Sequence, residues 1–160
     1  MTSADEHDAG ERAAAVVASM LARDTFTRWR GAEIVSVGAG HCTLRMRVRA
    51  DMLNGFGVAH GGIAYSLADS AMAFACNRSG YITVAIDNSV SYPAAVRLDD
   101  ELIALAEEES ATRRLAFYRV TVRRPNDDVV ALFRGTVYRT HQPHEDAPHG
   151  QDHGCPPLRA

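Results

Sequence analysis

A single carboxylate interrupts an apolar segment near the middle of the chain. The segment from 62 to 77 reads GIAYSLADSAMAFACN, and Asp69 is its only acidic residue. At the period of an α-helix, one face of this segment collects its small and polar positions, which are Ser66, Asp69, Ser70, Ala73 and Asn77. A buried carboxylate is costly unless it is paired or faces water. The stripe is therefore either part of a functional site or a surface that meets solvent or a partner subunit.

The start of the same helix could bind a developing negative charge. Gly61 and Gly62 stand there, and N–H groups at a helix N-terminus with no Cβ in the way are natural donors to an oxyanion. The alternative is an ordinary Gly-rich turn. Asn54 could hydrogen-bond a carbonyl or a water, or be a turn residue. His60 could act as a general base, or fix the loop by hydrogen bonds.

The composition narrows the chemistry. All 17 basic residues are arginine, which excludes a lysine Schiff base and with it ordinary PLP catalysis. The three cysteines show no CxxC or zinc-type spacing, so we expect reduced thiols and no metal site. A net charge of -3 provides no basic field for nucleic acid. The longest apolar run is too short and too polar to span a membrane.

The flanking segments predict an α+β fold. An amphipathic helix is expected over 11–23, and the period-two alternation of 41–49 predicts a half-buried strand. Further strands are expected over 32–37, 83–92, 101–108, 115–124 and 129–140, with a Gly-rich loop over 50–62. The turn at 124–128 predicts a hairpin between the last two strands. This order indicates an antiparallel sheet packed on one hydrophobic helix.

One domain is expected over residues 11–141. Residues 1–10 are polar and acidic, and the tail 142–160 is rich in Pro, His, Gly and acids, so both are expected to be disordered. The acidic start does not have the pattern of a signal peptide, and together with reduced thiols it favours a cytoplasmic location.

The motifs around Asp69 resemble a known family. The stretches are Asn54-Gly55-x4-His60-Gly61-Gly62, Leu67-Ala68-Asp69-Ser70 and Ala75-Cys76-Asn77. In this combination they are similar to the signature of the PaaI-like (phenylacetic-acid-degradation) hotdog thioesterases. The stretches DELIALAEEES and VVALFRGTVYRT also resemble that family's closing strands, so the resemblance covers about residues 20–140.

The resemblance implies a hotdog fold, in which an antiparallel sheet wraps around one long central helix. It implies a homodimer, often paired into a homotetramer, and hydrolysis of acyl-CoA thioesters without a cofactor. The aryl acyl group, of the phenylacetyl or hydroxyphenylacetyl type, follows from the resemblance alone. The competing hypothesis is a non-catalytic acyl-CoA-binding or sensing module.

The family pattern also implies roles for single residues. Asp69 is the general base or nucleophile, the Gly61 N–H polarises the thioester carbonyl, and Asn54 places the carbonyl or the water. His60 belongs to the same catalytic loop. We expect Asn54 and Gly61 of one subunit to work with Asp69 of the other.

Other expected contacts of the substrate are less defined by the pattern. Gly62 and Ser70 are expected to line its site. Some relatives carry a hydroxyl on the strand after the helix, where this chain has Ala85, with Thr83 nearby. The CoA phosphates would meet arginines, and the candidates are Arg97, Arg113, Arg114, Arg123 and Arg124, of which Arg113 and Arg114 are assigned to substrate binding.

Overall fold

Three helices and six strands make up the part of the chain that the structure describes. The structure is a computed structural model that describes residues 3–77 and 80–144. The helices are α1 (Ser3–Arg23), α2 (Thr25–Arg30) and α3 (Gly61–Cys76), and a short 3-10 helix covers Ala50–Met52. The strands are β1 (Glu33–Gly38), β2 (His41–Arg47), β3 (Tyr81–Ser91), β4 (Glu101–Ala111), β5 (Leu115–Arg123) and β6 (Val129–Pro143).

The strands form one antiparallel sheet in the order β1-β2-β4-β5-β6-β3. The predicted hairpin joins β5 and β6, where Arg124 N donates to Asp128 O at 2.9 Å. Among the described strands, β3 pairs with β6 alone, so it lies at one end of the sheet and its other edge is free.

The core lies between α3 and the inner face of the sheet. The alternation predicted for β2 is confirmed, since Cys42, Leu44 and Met46 are buried between exposed or partly exposed neighbours. The apolar residues of α3, among them Leu67 and Phe74, join the same buried cluster. Each such side chain stabilises the fold by about 1.5–3 kcal/mol when it leaves water. The α+β architecture of one antiparallel sheet on one long helix is confirmed.

Both ends of the domain differ from the prediction. The first helix begins at Ser3, inside the range 1–10 for which the sequence analysis expected disorder. The acidic residues of 3–10 suit the start of a helix, where the helix dipole favours negative charge. At the other end β6 continues to Pro143, which pairs with Tyr81, so 142 and 143 belong to the sheet. His144 follows the strand and donates through its backbone N to Gly80 O at 2.8 Å, and the remaining part of the predicted tail, 145–160, lies outside the described residues.

The short helix α2 was not predicted. It begins after Asp24, whose side chain accepts from Thr27 N at 2.8 Å, and ends at Gly31 with φ of 69°. An N-cap carboxylate and a left-handed glycine commonly mark the two ends of a helix. With only six residues, α2 is too short to show the apolar periodicity from which a helix is predicted.

Candidate active site

Asp69 lies midway along α3 and is half-buried. Its Oδ1 accepts a hydrogen bond from Asn88 Nδ2 at 3.0 Å. The same amide nitrogen donates to Tyr65 Oη at 3.1 Å, which fixes the orientation of the amide group. The carboxylate therefore meets a neutral donor from β3.

The pKa of the Asp69 carboxyl is raised above its ordinary value. Burial is the main cause, and it is opposed by the hydrogen bond from Asn88 and by the positive charge of Arg30. A carboxylate of raised pKa holds a proton more firmly than an ordinary aspartate does, which suits a general base.

A β-bulge explains why Asn88, rather than Ala85, meets Asp69. Ala85 pairs with Val137 and Asp87 pairs with Thr136, so Ile86 is an extra residue in β3. The extra residue reverses which positions face inward. The sequence pattern contains no signal for this bulge. Ala85, where some relatives carry a hydroxyl, is exposed.

Gly135 of β6 makes room for this arrangement. It is buried and pairs with Asn88. A Cβ at this position would overlap the Met72 sulfur and lie 2.8 Å from Asn88 Oδ1. Only glycine lets α3 and the Asn88 amide approach β6 so closely.

The N-terminus of α3 presents one available backbone donor. His60 is the N-cap, and its Nδ1 accepts from Gly62 N at 2.9 Å. Among the described residues, the Gly61 N–H has no hydrogen-bond partner. A Cβ on Gly62 would lie 3.0 Å from His60 Nδ1, so glycine there permits the cap. His60 thus caps α3 through Gly62, and the Gly61 N–H is left available to a bound group.

Asn54 organises the loop that precedes the helix. Its Oδ1 accepts from Phe56 N at 2.9 Å and from Val58 N at 3.4 Å. These bonds commit the oxygen to the loop, while the amide nitrogen has no partner among the described residues. Asn54 is therefore both a turn residue and a possible donor to a bound group.

The predicted polar stripe of α3 faces two elements of the same chain. Ser66 and Ser70 accept hydrogen bonds from Arg30 of α2, at 3.3 and 2.5 Å. At the far end Asn77 is buried and bonds both N and O of Thr83. Arg30 is fully buried and was not predicted, because an arginine outside any motif resembles the other 16.

The arginines expected to bind phosphate are placed differently from one another. Arg113 and Arg114 are exposed in the turn between β4 and β5. Arg124 pairs with Asp100 at 2.8 Å, and Arg123 pairs with Asp127 of the β5–β6 hairpin. Arg123 and Arg124 are thus both engaged in ion pairs with other residues of this chain.

Neither a metal centre nor a membrane span is formed in the part of the chain described. Within 3–77 and 80–144, no group of three or more His, Cys, Asp or Glu could hold a metal ion. No helix in these ranges is long and apolar enough to cross a membrane.

The known proteins most relevant to this geometry are thioesterases. A sequence model of the thioesterase superfamily matches residues 56–131. Acyl-coenzyme A thioesterase PaaI of Escherichia coli is 33% identical over 121 residues, which cover 76% of this chain and 86% of that protein. The human acyl-coenzyme A thioesterase 13 is 29% identical over 108 residues, covering 66% and 77%.

Solved structures agree with the sequence relatives. The E. coli PaaI protein from the phenylacetic acid degradation operon aligns with a TM-score of 0.81 at 30% identity, covering 84% of this chain and 97% of that one. A "hypothetical thioesterase protein" from Streptococcus pneumoniae, solved with coenzyme A, aligns with a TM-score of 0.67 at 26% identity, covering 71% and 88%. Fold and site together define a hotdog-fold protein, and the chain belongs to the thioesterase superfamily, in its PaaI-like branch. It is a thioester hydrolase.

Proposed function

We propose that this protein hydrolyses aryl acyl-CoA thioesters, of the phenylacetyl type, to the free acid and CoA. The observation that carries the proposal is that one helix, α3, holds both a half-buried carboxylate of raised pKa, Asp69, and an available N-terminal donor, Gly61. The acyl-CoA class is supported by the names of the E. coli and human relatives and by the coenzyme A in the streptococcal structure. The aryl group is supported by the operon of the E. coli protein.

The chemistry needs a donor for the carbonyl and a base for water. The Gly61 N–H donates a hydrogen bond to the thioester oxygen as negative charge builds there, in a place where the dipole of α3 also favours that charge. Asp69 removes a proton from a water that attacks the carbonyl carbon, or attacks that carbon itself. In the first route the C–S bond then breaks, and the CoA thiolate leaves and takes up the proton held by Asp69. In the second route the thiolate leaves an acyl anhydride on Asp69, and water hydrolyses it to the free acid and the carboxyl of Asp69, whose proton goes to the thiolate.

One chain by itself does not bring these two groups together. Gly61 and Asp69 are eight positions apart on α3, which corresponds to about 12 Å along the helix axis. The carbonyl oxygen must lie about 3 Å from its donor and the reacting carbon about 3–3.5 Å from the attacking group. We therefore propose that Gly61 and Asn54 of one subunit serve the same thioester as Asp69 of a second copy.

The free edge of β3 is the surface that supports such a dimer. Val84 and Ile86 are exposed apolar residues on this 11-residue edge strand. A long edge strand with unpaired backbone groups is a template for pairing with another chain. An isologous dimer through β3, paired further into a tetramer, would bring the Asp69-bearing faces of two helices to a common interface.

Turnover assays test the proposal directly. Purified protein should release CoA thiol from phenylacetyl-CoA within a panel of aryl and medium-chain esters. Asp69→Asn should lower kcat by about two to four orders of magnitude, since general base catalysis contributes that much. Asp127→Asn is the matched control, because Asp127 is exposed in the β5–β6 turn and asparagine tolerates its φ of 68°. Binding of the esters without thiol release would favour the sensing module instead.

A further inference from the structure

Arg30 is a buried cation next to the face of α3 that carries Asp69. Its side chain has no exposed area. Nη2 donates to Ser70 Oγ at 2.5 Å and to Thr27 Oγ1 at 2.8 Å, and Nη1 donates to Ser66 Oγ at 3.3 Å. Ser66 precedes Asp69 by three positions and Ser70 follows it directly. The guanidinium is therefore hydrogen-bonded to α3 both before and after Asp69 in the chain.

These hydroxyls do not balance the charge of Arg30. A buried charge is costly unless an opposite charge compensates it, and Ser and Thr are neutral. Two carboxylates interact with Arg30 electrostatically, Asp24 and Asp69. Asp24 is held by Thr27, whose N and Oγ1 donate to its carboxylate at 2.8 and 2.5 Å. Asp24 is thus fixed in place as one negative charge near Arg30, and Asp69 is the second.

Among the described residues, Arg30 is the one cation whose charge lowers the pKa of Asp69. Asn88 of β3 is a neutral donor, and it connects Asp69 to the Tyr65 hydroxyl. The Cys76 thiol also interacts with Asp69, but burial raises its pKa to about 12, so it is uncharged near neutral pH. The charge of Arg30 thus opposes the desolvation of the carboxylate.

We propose that Arg30 is a positioning residue of the active site, which fixes α2 to α3 and supplies a positive charge that partly offsets the burial of Asp69. This rests on the proposed role of Asp69. Arg30 lies outside residues 56–131, which the superfamily model matches. Its role would therefore extend the active site to the N-terminal helices of this chain. Its action goes through Asp69, Ser66 and Ser70.

The pH dependence of phenylacetyl-CoA hydrolysis tests the inference. Arg30→Met removes the charge and keeps a side chain of similar length, whereas Arg30→Lys keeps the charge. The acid limb of kcat/KM should shift to higher pH in Arg30→Met, because the buried carboxyl then protonates more readily, and Arg30→Lys should restore it toward the wild-type position. A purely structural residue would lower kcat at every pH without moving the limb.

A second readout does not depend on turnover. The carboxyl carbon of Asp69, assigned by its loss in Asp69→Asn, can be titrated by NMR in ¹³C-labelled protein without substrate. If Arg30→Met does not fold, Ser70→Ala takes its place, because losing the shortest contact frees the guanidinium to move away and should shift the titration in the same direction. An unchanged Asp69 titration in the folded variant overturns the inference.

The two proposals fail in different ways. If Asp69→Asn keeps wild-type turnover, the catalytic role of Asp69 is wrong, while the NMR titration still reports whether Arg30 acts on the carboxyl. If Asp69→Asn is inactive and Arg30→Met keeps the wild-type acid limb and titration, only the role of Arg30 is wrong.

Discussion

At the scale of single residues, the candidate site trades stability for reactivity. Asp69 sits in a half-buried position where its charged form is disfavoured, and Asn88 and Arg30 only partly offset that cost. The same burial raises the pKa of the carboxyl, which suits the general base proposed here. Active-site groups of this kind commonly lower the stability of the fold that holds them.

Asp69→Asn should therefore stabilise the protein near neutral pH while it removes activity. The folded-state pKa of Asp69 lies above the ordinary 3.8, so its contribution to stability is complete below that value and is lost as the pH rises through the folded-state pKa. Asparagine stays neutral and can still accept from Asn88. Urea unfolding should give the variant a higher free energy of unfolding at neutral pH, with the gap closing in acid. A variant less stable than wild type at neutral pH would contradict this.

His60 should behave as a cap rather than as a base. Its Nδ1 accepts from Gly62 N, so His60→Ala should lower the free energy of unfolding by about 0.5–2 kcal/mol. His60→Asn, which replaces it with a good capping residue, should recover most of that stability and most of the turnover. Loss of turnover in His60→Asn with full stability would assign His60 to the chemistry itself.

At the scale of elements, Asn77 joins the end of α3 to the start of β3. Its Oδ1 accepts from Thr83 N at 2.8 Å, and its Nδ2 donates to Thr83 O at 3.0 Å and to Ala73 O at 2.9 Å. These bonds replace backbone pairing where the chain leaves the helix. They also set the position of the strand that carries Asn88 to Asp69.

Asn77→Ala should weaken both the fold and the site. It leaves the N–H of buried Thr83 without its partner, which costs about 1–3 kcal/mol. Thermal unfolding should show the loss as a lower Tm, and kcat should fall because β3 is less well placed. Thr140→Val serves as a control, since it removes a hydrogen bond to the backbone of β3, at Ile82 O, away from Asn77. Equal Tm values for Asn77→Ala and wild type would contradict the anchoring role.

At the scale of the whole molecule, the separation of Gly61 and Asp69 along α3 is the reason for proposing that two copies of the chain form the catalytic unit. Each subunit would supply the donor end of its helix to one site and its carboxylate to the other. Two-fold symmetry then makes the two sites equivalent.

Mixing two inactive variants tests this sharing. Asp69→Asn and Asn54→Ala each damage every site in their own homodimer, but a hybrid dimer has one intact site and one doubly defective site. With random exchange half the dimers are hybrids, so activity should recover to about one quarter of wild type. Mass spectrometry of differently tagged copies verifies that subunits exchange. Exchange without recovered activity would mean that Asp69 works with groups of its own chain.

Several elements of this protein, and the expected role of Gly61, could be predicted from local patterns in the sequence. The helix carrying Asp69 and the alternation of β2 come from the spacing of apolar residues. The turn at Arg124–Asp128 comes from residues that favour turns. The role expected of Gly61 comes from glycines at a helix start within a motif that resembles a family. Each of these signals lies within a short window of the chain, so it can be recognised without knowledge of the fold.

The tertiary structure alone decided which side chains meet Asp69. Asn88 reaches it because Ile86 bulges out of β3 and Gly135 leaves room, and neither effect has a signature in the spacing of residues. Arg30 is 39 positions away in the chain and meets Ser66 and Ser70 only when α2 packs on α3. The physical reason is that contacts distant in sequence depend on register and packing, which a local pattern does not encode.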